Sequence, residues 1–223
     1  MTSKVLGAAS LVLILVSLYL ALVWTPNEAQ QGIYYRIIYF HVPVGIMSYL
    51  AAFLLFAGSA LYLIQRDLKW DRLGVASAEM GFLFCSCSIL TGMIWAKPIW
   101  GVWWVFDARL TAQLLLWLIF VAYFMLRAYL PDRERRAKLA GVFGLLGMLD
   151  VPINYKSIEW WTTQHPQPVM RGDGYMDPDM RFALNVSIIA FIVLYAYLMT
   201  KRLPVAKVEE EVDYLHHVVY SND

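Results

Sequence analysis

The sequence predicts an all-α fold, a membrane-embedded bundle of about six transmembrane helices with both termini in the cytoplasm. Of the 223 residues, 60% are hydrophobic and 16% are charged, and the mean hydropathy is +0.55. Soluble domains have about 45–50% apolar and about 25% charged residues, so this composition is typical of a membrane protein. The apolar residues also form runs near the length of about 20 residues with which a helix crosses a bilayer.

The first apolar run, residues 5–24, carries no charge and is long enough to cross. A cleaved signal peptide is the alternative, but the run is too long for one and no small-residue cleavage site follows before Pro26. We therefore expect a retained span. Four further runs have the length of a span, at residues 42–64, 75–95, 110–126 and 182–200.

The sixth candidate span, residues 139–153, is shorter and contains Asp150 and Pro152. We expect it to cross the membrane, the alternative being a segment that stops short or re-enters. Asp150 lies at membrane depth, where an ionisable residue is a functional candidate, although it could instead pair with a basic residue at the outer end. Glu79 interrupts the third run and has no evident partner in the sequence.

The distribution of lysine and arginine predicts the orientation. The two termini and the second and fourth connections carry 12 of the 18 basic residues, and the other three connections carry 6. Because cytoplasmic segments hold the excess of basic residues, both termini are predicted to be cytoplasmic. Residues 1–204 are then one membrane domain with outer segments at 95–111 and 154–181, and residues 205–223 form a mixed-charge cytoplasmic tail.

Several chemistries are disfavoured by the sequence. The net charge of +1 suggests neither a nucleic acid nor an acidic substrate. Cys85 and Cys87 lie in mid-span two positions apart, which points them to different helix faces, so a disulfide or a reactive thiol pair is not expected. The sequence contains neither a Cys-x-x-Cys-His motif for covalent haem nor a phosphate-binding loop.

Tryptophans gather on the predicted outer side. Six of the 9 lie in or beside the two outer segments, namely Trp95, Trp100, Trp103, Trp104, Trp160 and Trp161. An aromatic belt is the alternative explanation, but a belt occupies both membrane interfaces, and the cytoplasmic side has Trp70 and little else. The clustering favours a surface that binds a flat apolar ligand.

Two of the 4 histidines, His41 and His165, are predicted on the same outer side, and His216 and His217 lie in the tail. A single interfacial histidine usually bonds a neighbour or water, but two imidazoles on opposite faces of a porphyrin give six-coordinate haem iron. Zinc would need three or four clustered ligands. Cations that could meet the haem propionates are Arg36, Lys97 and Arg109.

Local sequence suggests how each histidine is placed. Pro43 suits the first turn of a helix, so His41 is expected at or just before the start of the second span. If residues 160–165 are helical, Trp161 and His165 share one helix face at i and i+4.

Three segments carry a resemblance to a known family. Residues Trp95 to Thr111 read W-A-K-P-I-W-G-V-W-W-V-F-D-A-R-L-T, Tyr35 to Pro43 read Y-R-I-I-Y-F-H-V-P, and Ser157 to His165 read S-I-E-W-W-T-T-Q-H. The first resembles the tryptophan-rich "WWD" signature of proteins that handle haem in bacterial cytochrome c maturation. With six spans, the chain resembles the CcmC family over essentially its whole length apart from the tail.

The resemblance implies a non-enzymatic protein of the bacterial inner membrane that binds haem b non-covalently on its periplasmic side. It implies His41 and His165 as axial ligands and presentation of the haem to the periplasmic chaperone CcmE. It also implies partnership with the transporter subunits CcmA and CcmB and the small membrane protein CcmD. The implied haem platform and propionate contacts are Trp95, Trp100, Trp103, Trp104, Asp107, Arg36 and Arg109, with Trp160 and Trp161 beside them.

One position departs from the family pattern. The family usually has tryptophan just before the aspartate of the signature, and this chain has Phe106. Phenylalanine keeps the stacking surface but loses the indole N–H donor. Asp107 itself is expected to organise the segment by holding Arg109 or an indole N–H, or else to be a carboxylate that favours the start of a helix.

The position of the ligands suggests how haem is released. One histidine is at a span end and the other in a loop, so they can separate without unfolding the bundle. Two other functions remain open from the sequence. One is a cofactor-free membrane subunit whose aromatic surface docks a protein, and the other is a transporter of haem or a small apolar molecule.

Overall fold

The structure is a computed structural model that describes residues 2–165 and 176–220. Six α-helices make up most of it, and the described residues contain no β-strand. The helices are α1 (Thr2–Tyr19), α2 (Ile38–Gln65), α3 (Leu68–Trp100), α4 (Ala108–Tyr129), α5 (Arg133–Trp160) and α6 (Pro178–Tyr220). A π-helical turn, Leu20–Trp24, extends α1, and a 3₁₀ turn, Ile33–Ile37, leads into α2.

Six of these elements are long and apolar enough to cross a membrane, which confirms the all-α, six-span prediction. The short run at residues 139–153 is the apolar middle of α5, whose 28 residues reach about 42 Å at a rise of about 1.5 Å per residue. Its polar ends, 133–138 and 154–160, continue the helix beyond the apolar run. A sequence window of apolar residues therefore underestimates the length of this helix.

The connections differ at the two ends of the bundle. At one end, Arg66 in the left-handed conformation (φ 57°) and Asp67 form the whole link between α2 and α3, and residues 130–132 join α4 to α5. At the other end lie residues 25–32 and 101–107, which form longer connections, and residues 161–165, which follow α5. That end carries the first predicted outer segment and the described beginning of the second, so the functional side chains can come together there.

Close helix contact holds α2 against α3 near the short link. A Cβ at Gly58 would lie 2.8 Å from the carbonyl oxygen of Trp70 and 2.9 Å from the amide nitrogen of Gly74, both backbone atoms that cannot rotate away. Small residues at such crossings let helix backbones approach in a membrane, where packing replaces the hydrophobic effect between helices.

Gly58→Ala is therefore expected to destabilise the protein by about 1–3 kcal/mol, because the added methyl overpacks this crossing. The matched control is Gly147→Ala, where a Cβ meets Ile119 at an ordinary 3.7 Å and the gain in helix propensity is about 0.5–1 kcal/mol. Thermal unfolding in mild detergent measures both. Equal midpoints for the two variants would contradict the close-contact argument.

The predicted tail lies within α6. The helix continues through residues 205–220, and residues 221–223 lie outside the described residues. Ion pairs hold α6 to the rest of the bundle: Arg202 Nη2 donates to Glu79 Oε1 at 2.6 Å and Arg72 Nη1 to Glu210 Oε2 at 3.0 Å. Glu79, which had no evident partner in the sequence, thus has one from the last helix. The orientation relative to the cytoplasm and the division at residue 204 stay predictions.

Candidate functional site

A cavity of about 220 Å³ opens at the loop end of the bundle, between α2, α3, α4 and α5. Its walls are mainly apolar, with Ile38, Ile46 and Ile89 among them. The structure brings six of the sequence-predicted site residues to this cavity, namely His41, Trp95, Trp100, Trp104, Arg109 and His165.

The two predicted ligand histidines face the same space. The centroids of the His41 and His165 rings are 6.4 Å apart, and the ring planes are inclined by 36°. Two imidazoles bound on opposite sides of one metal, with metal–nitrogen bonds of about 2 Å and ring radii of about 1 Å, have centroids about 6 Å apart. The pair therefore has the separation that a shared metal ion needs.

His41 is held in one orientation by α3. Its Nδ1 lies 3.0 Å from the hydroxyl oxygen of Thr91, and that hydroxyl donates to the carbonyl oxygen of Cys87 at 2.7 Å. Because the hydroxyl proton is used in this way, Thr91 accepts a hydrogen bond from Nδ1–H. The Nε2 atom of the neutral ring then keeps its lone pair for a metal.

His41 lies inside α2, which corrects the sequence expectation. The helix begins at Ile38, directly after the 3₁₀ turn, so His41 is its fourth residue and Pro43 its sixth. Pro43 does not mark the start of the helix, because the 3₁₀ turn already supplies helical backbone before it. The ring packs edge-on against Trp95 of α3, with centroids 5.7 Å apart.

His165 is placed by hydrogen bonds outside any helix. The expectation of a shared helical face with Trp161 is wrong, because α5 ends at Trp160 and Trp161 is extended (φ −130°, ψ 157°). The backbone N–H of His165 donates to the hydroxyl of Thr163 at 3.1 Å. That hydroxyl donates to Asp107 Oδ2 at 2.5 Å, and the N–H of Gln164 donates to the same oxygen at 3.1 Å.

Asp107 therefore joins the two outer segments. Its other oxygen, Oδ1, accepts from the backbone N–H of Leu110 at 2.9 Å and caps the N-terminus of α4. The alternative of a carboxylate at the start of a helix is therefore found, whereas the expected organising contact with Arg109 or an indole is not found among the described residues. Asp107 instead holds Thr163 and Gln164, which adjoin the second histidine.

Arg109 and a set of buried amides form the polar wall. Arg109 Nη1 donates to the backbone oxygen of Asn154 at 2.6 Å, and its guanidinium lies over the Tyr49 ring at 5.9 Å. Asn154 Nδ2 donates to Gln113 Oε1 at 2.9 Å. Asp150, one turn before Asn154, is buried and pairs with no lysine or arginine among the described residues, so the alternative of an outer-end pairing is not found.

Sequence reasoning missed four residues of this site. Gln31 accepts from the Trp95 indole N–H at 2.8 Å, and Thr91, Gln113 and Thr163 make the contacts given above. Gln113 is a polar residue inside an apolar span, a signal that could have marked it. Thr91 and Thr163 are ordinary residues in their local sequence, and only their spatial partners distinguish them.

The other predicted site residues lie away from the cavity. Arg36 donates to the backbone oxygens of Ala21 and Thr25, and Lys97 donates to that of Gly101, so both hold connections. The remaining aromatic side chains are exposed, at 53% for Trp103, 81% for Phe106, 58% for Trp160 and 52% for Trp161.

The chain matches the family model described as "Heme exporter protein C" (CcmC) over residues 1–217. This chain belongs to the haem exporter protein C family. It is 38% identical over 199 residues to the "Heme exporter protein C" of Escherichia coli K12, covering 89% of this chain and 80% of that one.

Two other relatives extend the haem exporter protein C comparison. The Bradyrhizobium diazoefficiens protein of the same name is 34% identical over 195 residues, which is 86% of this chain and 74% of that one. A "Putative cytochrome c biosynthesis ccmC-like mitochondrial protein" of Arabidopsis thaliana is 32% identical over 163 residues, which is 73% of this chain and 61% of that one.

Family membership and six spans together make this chain a multi-pass membrane protein of a family involved in haem handling for cytochrome c maturation. The match to the haem exporter protein C family spans both histidines and the whole tryptophan-rich segment, so the cavity lies within the part of the chain that the family shares.

Proposed function

We propose that this protein binds haem b non-covalently in the cavity, with His41 and His165 as axial ligands, and presents it to the periplasmic chaperone CcmE. The observation that carries the proposal is the pair of imidazole rings 6.4 Å apart in one largely apolar cavity. The haem is cargo, received and passed on, and the proposed role is delivery without catalysis.

The ligand set fits haem. A porphyrin supplies four nitrogens to its iron, so the protein needs to add only two axial ligands. Within residues 2–165 and 176–220, no group of three or more His, Cys, Asp or Glu side chains comes together to bind a metal ion. The two imidazoles therefore suit iron that already has four ligands.

The cavity also suits a cargo that must leave. Its volume of about 220 Å³ is below the range of about 300–1,000 Å³ for pockets that enclose a drug-sized ligand. A porphyrin would therefore be only partly enclosed, with one edge accessible to a partner. Arg109 at the cavity wall is the cation best placed for a propionate.

We assign docking of the chaperone to the exposed aromatic residues of the two outer segments, Trp103, Phe106, Trp160 and Trp161. Aromatic residues are enriched in protein interfaces, and these four side chains are each at least half exposed. CcmA, CcmB and CcmD are the other proposed partners, and the bacterial inner membrane is the proposed location, with the cavity on the periplasmic side.

Neighbouring tryptophans provide the test. Trp104 lines the cavity and Trp103 is exposed, so Trp104→Ala should lower haem content about tenfold, equivalent to about 1.4 kcal/mol of lost contact. Trp103→Ala should retain haem but transfer less of it to CcmE. The visible spectrum of the purified protein measures the first effect, and covalent haem on co-expressed CcmE measures the second.

Two results would contradict the proposal. If the folded parent protein carries no haem even with CcmE and the transporter subunits co-expressed, a cofactor-free docking subunit becomes the better explanation. If Trp103→Ala and Trp104→Ala lose haem equally, the cavity is not the binding site.

Thr91 is expected to matter through His41. Thr91→Val keeps the shape but removes the acceptor for Nδ1–H, so we expect haem affinity to fall about 10-fold and the reduction potential to change. Thr91→Ser keeps the hydroxyl and should behave like the parent. A haem titration and a redox titration distinguish the variants, and identical values for valine and serine would show that Thr91 does not act on the ligand.

A further inference from the structure

The C-terminal part of α6 extends beyond the membrane. The helix has 43 residues, or about 64 Å at a rise of about 1.5 Å per residue, against about 30 Å of hydrocarbon. Its apolar run at residues 182–200 ends at Lys201 and Arg202. Residues 203–220 therefore project from the end of the bundle opposite the histidine cavity.

One face of this projection is held by the rest of the protein. Ala206 is buried, at 5% exposure, and Glu210 forms ion pairs with Arg72 and Arg133. Arg136 Nη2 of α5 donates to Asp213 Oδ2 at 2.9 Å. Contacts to both α3 and α5 fix the rotation of the helix about its axis.

The opposite face carries an apolar stripe that no described residue covers. Five residues between 49% and 61% exposed lie at alternating intervals of three and four, namely Val205, Val208, Val212, Leu215 and Val219. This is the a and d spacing with which a helix packs against a second helix. At about 100° per residue, the stripe points roughly 150° away from the face that Ala206, Glu210 and Asp213 bury.

Acidic residues border the stripe on both sides. Glu209 and Glu211 occupy the positions next to it that form charge pairs between helices, and their side chains are 58% and 62% exposed. Lys207 pairs with Glu211 at the surface, where an ion pair contributes little. Glu209 pairs with Arg202, which also holds Glu79, and the exposed Glu209 carboxylate keeps capacity for a second basic partner. No lysine or arginine occupies an equivalent flanking position between residues 204 and 219, and the sequence has only His216 as a titratable base at such a position, so a second copy offers these glutamates no permanently charged partner.

We propose that this stripe, residues 205–219, docks an amphipathic helix of another protein that carries apolar residues at a and d and basic residues beside them. The recognition is helix against helix, with apolar contact for affinity and charge for selectivity. The proposal goes beyond haem binding and does not depend on it, since the stripe lies at the far end of the bundle from the cavity.

The first experiment places a photo-crosslinking amino acid at Val212 of the full-length protein in cells that express the whole maturation system. Leu149, 64% exposed on α5 within the apolar run, is the control position. We expect Val212, and not Leu149, to crosslink to a protein segment with the 3–4 apolar repeat and flanking lysine or arginine, identified by peptide mass spectrometry. A crosslink to a second copy, to lipid alone or to nothing would overturn the proposal.

The second experiment measures recognition with two designed peptides. Both have leucine at a and d, and they differ only in having lysine or glutamate at the flanking positions. The lysine peptide should bind the purified protein, and binding should weaken at least about tenfold with the glutamate peptide or the Val212→Glu variant. Equal binding of the two peptides, or of parent and variant, would contradict the proposal. An unchanged thermal unfolding midpoint of Val212→Glu in mild detergent controls for folding.

Discussion

His41→Ala is expected to abolish the six-coordinate haem spectrum and to lower haem affinity by more than about 100-fold. Removing a second-sphere partner of a metal ligand already costs about 10–100-fold in affinity, and here the ligand itself is lost. His165→Ala should have a similar effect, because either variant leaves a single imidazole facing the cavity. The visible spectrum and the haem-to-protein ratio of the purified variants measure the loss.

Two controls make this result specific. His217→Ala changes a histidine at the other end of the chain and should keep the parent spectrum. Added imidazole should restore a six-coordinate spectrum to His41→Ala, because the substitution enlarges the cavity at the ligand position. Full haem content in both His41→Ala and His165→Ala would show that the histidine pair does not bind the iron.

Asp107→Ala is expected to have the second largest effect, because it lowers both the stability of the protein and its haem content. One oxygen caps α4 through Leu110, and the other holds Thr163 and Gln164 beside His165. Loss of the cap should cost about 0.5–2 kcal/mol of stability. Loss of the contacts to Thr163 and Gln164 should release the segment that carries His165. Bound haem should then become five-coordinate, and the haem content of the purified protein should fall about tenfold.

Asp107→Ser separates the two roles. Serine is a good N-cap, so this variant should unfold near the temperature of the parent. Its single short hydroxyl cannot both cap the helix and reach Thr163, so the haem spectrum should change as in Asp107→Ala. Thermal unfolding and visible spectroscopy on the same samples test this. A parent-like spectrum in Asp107→Ser would restrict Asp107 to capping.

Some of this architecture follows directly from composition and length. Runs of about 20 apolar residues can satisfy their backbone groups in lipid only as helices, so the number of spans follows from the sequence. Both histidines and six tryptophans lie next to connections on one side of such a bundle. The sequence therefore predicts the end at which the site forms, and the structure places both histidines at one cavity there.

Helix ends were harder to predict. Residues 154–160 are polar enough to be read as a loop, yet they continue α5, and residues 205–220 continue α6. A helix can continue outside the membrane where caps and ion pairs stabilise it. The side chains that form these ion pairs come from distant parts of the chain, so a local stretch of sequence does not reveal them. The pairs between α6 and Arg72, Arg133 and Arg136 are examples.

Composition and the lengths of the apolar runs are enough to predict six helices and to put His41 and His165 near one end of the bundle. Contacts between distant parts of the chain select the tryptophans that line the cavity, since Trp103 and Trp104 are adjacent in sequence but only Trp104 does so. Such contacts also supply the partners of His41 and His165, which are Thr91 and the Asp107–Thr163 link. Because lipid-facing and buried faces of a membrane helix are equally apolar, periodicity does not show which residues meet.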